Sequence, residues 1–348
     1  MLLAYDKPVT ETELSKALGT PAAFVEPIVD RLIDGELMKK TDGGKVYTDF
    51  IIFTEKDRED NLKKQLKTAE EHFDLFWKEI ESALSDLRKK EFYKRQKEKA
   101  KKNLELHFCI NILQRSIINV RDEIIDGALP YSEYPYRKNG GRWFAIGNKY
   151  SGNVDITVNM EKYFNMRKYE ISGEYGICSK DVFDLKSLEL RGYDTLVGMY
   201  PGKYLREDYM KWLYEIFSDT ENSCPADYII ESIPEMIKLG ILDKADEKVK
   251  LLLPVVEKSE YMEEKKLAEN YMVRISGNIH NIMEEVLEKG CVHLPKHLTS
   301  VPKWLQYVYC ADCIPMAVIC RAIEKGMFLE KSDSPFPALI LEYEKSHS

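Results

Sequence analysis

Five side chains toward the end of this 348-residue chain have the chemistry to hold a metal: Cys291, His293, His297, Cys310 and Cys313. Cys-x-His and Cys-x-x-Cys are familiar halves of a tetrahedral zinc site, where thiolate and imidazole fill four positions. Against that, residues 304–310 form an apolar run that predicts a buried helix, and Cys320 continues its face. Cysteines on such a face pack as small hydrophobes. Core packing is therefore the reading, and no metal is assigned. The full set of seven, with Cys109, Cys178 and Cys224, is odd in number. In a long chain with no charged-then-apolar leader, that predicts a reducing cytoplasm rather than a disulfide framework.

The second concentration of chemistry is charge. Arg88, Lys89, Lys90, Lys94, Arg95, Lys97, Lys99, Lys101 and Lys102 meet only Glu91 and Glu98 over fifteen positions, with Phe92 and Tyr93 interleaved. Such a run suits the phosphates of DNA or RNA, or an acidic protein face; the alternative is a solvated helix kept soluble by its charges. The whole chain carries a net charge of −8, so any nucleic-acid contact is local rather than a coating. The third concentration is aromatic: Tyr131, Tyr134, Tyr136, Trp143 and Tyr150. If the group lines a pocket, Tyr136 and Trp143 are the ligand contacts; otherwise it is core or interface. No phosphate-cradling loop, dinucleotide fingerprint, His-Glu-x-x-His or Gly-x-Ser-x-Gly occurs. The expectation is a chain that is not an enzyme and needs no cofactor. No apolar run nears the roughly 20 residues of a bilayer span, so no membrane partner is expected.

These residues need elements to hold them. Residues 2–5 read as the tail of one helix. Thr10 and Glu13 make a capping box for a second, with Leu14 and Leu18 on one face. Pro21 opens a third, which carries Phe24, Val25, Ile28, Val29, Leu32 and Ile33 and stops at Gly35. Strands at 37–40 and 46–53 flank the turn 41–44. Helix, helix, turn, helix and hairpin is the winged helix-turn-helix order, placed at 1–54. Its DNA contacts would be Thr20, Ala22 and Ala23 at the third helix and Lys39, Lys40 and Lys45 on the wing. That segment is acidic, with six basic and nine acidic side chains, and its third helix shows Glu26, Asp30, Arg31 and Asp34. Pro27 would kink that helix unless it starts late.

Residues 55–129 read as a long helical connector or hairpin. No Gly or Pro occurs from 45 to 126. Phe73, Trp77, Ile80, Leu84 and Leu87 form one heptad seam; Leu106, Ile110, Leu113, Ile117, Val120 and Ile124 form another. Charged residues 91, 94, 98, 101 and 105 separate them, so the chain either folds back there or crosses solvent as one helix. Residues 130–203 read as a small Tyr-rich antiparallel sheet with strands at 142–146, 168–172 and 195–200. Residues 204–348 read as a helical domain. Within it, 230–256 and 315–343 repeat the order helix, Gly stop, apolar strand, Asp turn, strand. The fold class is α+β, mainly α, ending in further winged-helix-like units.

The stretch from Tyr5 through Val25 and Asp30 to Thr48 resembles bacterial winged helix-turn-helix transcription regulators. More narrowly, it resembles the C-terminal extensions of extracytoplasmic-function-like RNA polymerase sigma factors. That resemblance covers about the first sixth of the chain. It implies a transcription regulator that contacts DNA or the transcription machinery, with RNA polymerase or another regulatory protein as partner. It also suggests that Met1 is a trimmed start within a longer protein. The alternative is a non-catalytic interaction or dimerisation scaffold, and the heptad seams make a homo-oligomer part of either reading.

Overall fold

The computed structural model describes residues 1–124, 132, 134, 136–138, 140–149, 174–182, 185–193, 207–219, 225–245, 248–290, 292, 294–298, 301, 303–329 and 338–346. The described chain is mainly helical with small sheets. It divides into two compact units. One comprises Met1–Lys64, Arg121–Ile156 and Glu284–Ala311; the other comprises Gln65–Val120, Thr157–Met283 and Asp312–Ser348.

The first unit opens with a 3-10 turn, Leu2–Ala4, then α1 (Glu11–Leu18) and α2 (Ala22–Asp34). The capping box forms as its residues require: Glu13 N–H donates to Thr10 Oγ1 at 3.1 Å, and Thr10 N–H donates to Glu13 Oε2 at 2.7 Å. Two amides with no partner inside the helix are thereby satisfied. Gly19 ends α1 at φ +63°, where a side chain would be strained. α2 starts early and still runs through Pro27, whose missing N–H removes one ladder bond near the helix start. Val25 and Val29, one turn apart, are buried with Ala4, Val9, Leu14, Met38 and Val46.

β1 (Met38–Lys40) and β2 (Val46–Thr48) pair antiparallel. The single strand expected over 46–53 is divided. Asp49 turns back, its N–H donating to Leu37 O and its carboxylate meeting Lys39 Nζ at 2.7 Å. β3 (Ile51–Thr54) then pairs in parallel with β4 (Ile146–Lys149). The division lets Ile51 and Phe53 enter a separate apolar cluster with Leu305 and Phe144. Ile52 joins Tyr5 and Leu298 instead, and its N–H donates to Tyr5 Oη at 3.0 Å. The strand expected at 142–146 begins only at Ile146; Arg142 makes an isolated bridge with Tyr136. The helix expected over 304–310 is a single turn, α10 (Lys303–Gln306), and Cys310 lies in the turns that follow.

The Gly- and Pro-free stretch is helical but not continuous. α3 (Glu55–Glu71), α4 (Phe73–Leu87), α5 (Glu91–Lys94) and α6 (Glu98–Ile124) follow one another, and the unit boundaries fall inside α3 and α6. In the second unit, Phe73, Trp77, Ile80, Leu84 and Leu87 are buried, as are Leu106, Ile110, Leu113, Ile117 and Val120. Between the seams the chain turns a corner: Lys90 is extended, and α5 is a single turn. The charged positions there cannot form a core. Glu91, Lys94 and Glu98 are exposed and Lys101 is half-buried, while Glu105 is buried.

The larger sheet is mixed, not antiparallel. β5 (Glu174–Val182), β6 (Leu185–Tyr193), β9 (Val255–Glu257) and β10 (Leu339–Lys345) lie in the order β5-β6-β10-β9. β5–β6 and β6–β10 are antiparallel, whereas β10–β9 is parallel. The strands expected at 168–172 and 195–200 lie outside the described residues. Of the two later repeats, the first forms its hairpin: α8 (Asp227–Lys238) leads through Gly240 at φ +73° to β7 (Leu242–Ala245) and β8 (Lys248–Leu251). It follows α7 (Glu207–Ser218). The second does not. After α11 (Ile314–Glu324), Met327, Phe328 and Leu329 form no strand, and β10 is taken up by the larger sheet. α9 (Lys258–Lys289) is the remaining long helix of the described residues. No helix among them is long and apolar enough to cross a membrane.

The β6–β10 pairing yields a stability test. A Cβ at Gly192 would fall inside van der Waals contact of the Leu339 side chain and the Ala338 carbonyl. Gly192→Ala should therefore lower unfolding stability by about 1–3 kcal/mol, read by chemical denaturation. An unchanged midpoint would show that this edge adjusts freely.

Candidate interaction surfaces

In the first unit, α1 and α2 hold the residues expected at DNA. Ser15 Oγ donates to Thr20 O at 2.6 Å, fixing the turn between the helices. Ala22 is half-buried and Ala23 exposed at the start of α2. The wing cations are held by carboxylates. Lys39 pairs with Asp49; Lys40 lies 3.2 Å from Glu11 and 3.6 Å from Asp30, and the hydrogen bond to Glu11 raises its pKa. Lys45 is exposed beyond them.

The outer face of α2 is apolar where the sequence pattern suggested core. Phe24 is 66% exposed and Ile28 50%, and Leu18 at the end of α1 is 57% exposed. Glu26, Asp30 and Asp34 are exposed on the same helix. A signal for this was present: Phe24/Ile28 and Val25/Val29 are two adjacent i, i+4 stripes, and a helix packed on one side buries only one. Arg31 Nε donates to Pro27 O at 3.2 Å, so a cation of this face is turned onto the backbone.

In the second unit the basic run lies at the corner between α4 and α6. Arg88 donates twice to Glu105, at 2.7 and 3.1 Å, and Tyr93 Oη donates to Glu105 Oε1 at 2.6 Å. Burial first, then that bond, pushes the Tyr93 phenol well above its usual range. Lys89 meets Asp86 at 2.8 Å, Lys90 meets Glu263 at 2.6 Å, Lys94 meets Glu91 at 2.6 Å, and Lys101 meets Glu98 at 2.7 Å. Arg95 forms a two-pronged pair with Glu260. Lys99, desolvated, has its pKa lowered. Lys97 is exposed; Lys102 is half-buried on α6. The run that is strongly basic in sequence is thus largely charge-matched in space. Glu260 and Glu263 lie more than 150 residues away in sequence.

Among the described residues, the aromatic group does not gather into one site. Tyr131 and Tyr150 lie outside the described residues. Tyr136 is 71% exposed, with the Arg142 guanidinium 5.9 Å from its ring centre. Trp143 is covered by Arg137, 4.6 Å from the ring centre, whose Nε also donates to Trp143 O at 3.1 Å. Tyr134 packs edge-on against Phe144 at 4.9 Å. Each ring is spoken for separately. Among the zinc candidates, Cys291 and His293 lie outside the described residues. His297 packs edge-on against Tyr47 at 4.9 Å, and burial lowers its pKa, favouring the neutral ring. Cys109, Cys310, Cys313 and Cys320 are buried and take part in no disulfide. The Cys313 N–H donates to Gln65 Oε1 at 2.6 Å.

No family model matches the chain, and neither a curated protein nor a solved structure matches it.

A titration tests the corner. Tyr271 Oη donates to Asp86 Oδ2 at 2.6 Å. Burial, then this bond, pushes the phenol up to about 12, against about 10 for an ordinary tyrosine. The folded chain therefore keeps a proton that the unfolded chain releases. The resulting stabilisation is complete below about pH 10 and is lost as pH rises toward 12. The stability difference between the native chain and Tyr271→Phe should shrink over that window in chemical unfolding; a constant difference would refute the assignment.

Proposed function

We propose that this chain is a non-catalytic regulatory module that docks on another protein through the outer face of α2. The observation that carries this reading is the exposed pair Phe24 and Ile28, with Leu18 exposed at the end of α1; Glu26, Asp30 and Asp34 are exposed further round α2. A helix that reads DNA in the major groove uses Arg, Lys, Asn or Gln on that face to reach base edges and phosphates. An exposed apolar stripe suits a protein surface instead, where a buried aromatic anchor supplies most of the binding energy. Its partner has an apolar pocket for Phe24. The winged helix-turn-helix order of residues 1–54 makes α2 the presenting helix. On the resemblance to transcription regulators, the partner is a component of the transcription machinery.

Phe24→Glu and Ile28→Glu should leave the melting temperature nearly unchanged, since both side chains are exposed. Each should weaken binding to purified RNA polymerase by roughly tenfold or more, measured by surface plasmon resonance. Genomic DNA fragments should show no comparable affinity at low salt. The opposite pattern would replace this reading with DNA binding by the corner helix. That pattern is DNA affinity falling steeply with salt and lost when Lys94, Arg95, Lys97 and Lys101 become Glu.

A further inference from the structure

The second unit buries a row of polar side chains that none of the surfaces above uses. Asn103, His107 and Asn111 recur every fourth residue along α6, so they share one face. All three have no solvent exposure, and neither does Glu264 on α9. His107 Nδ1 stands 3.6 Å from Glu264 Oε1. That is too long for a good hydrogen bond. Among the described residues, neither Glu264 oxygen has a hydrogen-bond donor, and neither amide atom of Asn111 has a partner. Asn103 is tied by its Nδ2 to Leu252 O at 3.0 Å. The nearby cations point elsewhere: Lys265 Nζ and the Arg191 guanidinium each lie 4.9 Å from the Tyr261 ring centre, one turn before Glu264.

A carboxylate in a dry core is strongly unfavourable unless positive charge and hydrogen bonds meet it. We propose that His107 and Glu264 share a first-row divalent metal ion, with Asn111 Oδ1 as the third protein ligand. Two ligand atoms each about 2.1 Å from one ion, opened by roughly 110–120°, stand about 3.4–3.6 Å apart. The His107–Glu264 separation is in that range. Among the described residues no third His, Cys, Asp or Glu joins the pair. An amide oxygen and water therefore complete the coordination, a mixed nitrogen–oxygen set that suits zinc, iron or manganese better than calcium or a thiolate-seeking ion. Asn111 is the chosen amide because both of its amide atoms lack partners, whereas Asn103 is anchored through its Nδ2 to Leu252 O.

The test uses the full chain stripped with a chelator, then titrated with Zn2+ and separately with Co2+. The expected result is one ion per chain by elemental analysis. A visible Co2+ absorption band and a higher melting temperature on metal addition should accompany it. Glu264→Gln, which removes the buried charge and so should fold without metal, should bind at least about tenfold more weakly and lose the melting shift. His107→Gln should abolish the cobalt band. Failure of the native chain to retain metal, or retention undiminished in Glu264→Gln, would overturn the proposal and leave a plain buried His–Glu pair.

Discussion

A carboxylate cannot sit bare inside a helical core, and Glu105 sits there, on the inner side of α6 with its side chain almost wholly buried. Two groups answer it. Arg88, at the C-terminal cap of α4, brings two N–H groups, and Tyr93 on α5 brings a hydroxyl. Neither would reach Glu105 if α4 ran straight on into α6. The corner and the buried acid are therefore one constraint. Removing one partner of such a pair leaves an uncompensated charge, a loss on the order of 3–5 kcal/mol when both partners are buried and less here, since Arg88 is half-exposed. Once the corner is fixed, both apolar seams can be buried, and Lys90 and Arg95 fall beside Glu263 and Glu260 of α9.

That geometry changes what the charge pattern means. Nine cations against two acids over residues 88–102 suggest a positive stripe. In space, Arg95 and Lys90 are met by Glu260 and Glu263 from α9, and Arg88 by Glu105 from α6. The exposed pairs among these add little stability each, but all of them cancel much of the field that would draw a phosphate backbone. The same holds at the hairpin, where Asp49, Glu11 and Asp30 take Lys39 and Lys40. Density of charge along a sequence is a local property, and a surface field is not.

Local features were legible for that reason, and distant pairings were not. The Thr10–Glu13 box, the Gly19 stop, the Met38–Thr48 hairpin and the buried seams rest on contacts within a few residues or on helical period. The break at Asp49, the parallel pairing of Ile51–Thr54 with Ile146–Lys149, and the capture of Leu339–Lys345 by β6 and β9 depend on partners far along the chain. The third repeat misled because apolar residues at 338–341 look alike in a hairpin and in a central strand buried on both faces. The Asn103, His107 and Asn111 row was visible as a spacing of four, yet without Glu264 opposite it reads as an ordinary polar helix face.

α2 shows how far helical period alone can decide a surface. Its apolar residues form two stripes about 100° apart, and the pattern cannot say which is buried. Packing decides: β1, β2 and α1 close over Val25 and Val29, so Phe24 and Ile28 face outward. Pro27, exposed one turn from Phe24 on the side away from Val25 and Val29, fixes the backbone locally. With Arg31 Nε bound to the Pro27 carbonyl, that apolar edge is braced at its backbone while the rest of the guanidinium stays exposed. A rigid apolar edge needs little ordering when a partner covers it, so more of the buried area appears as affinity. On the proposed reading, that edge is the surface a protein partner covers.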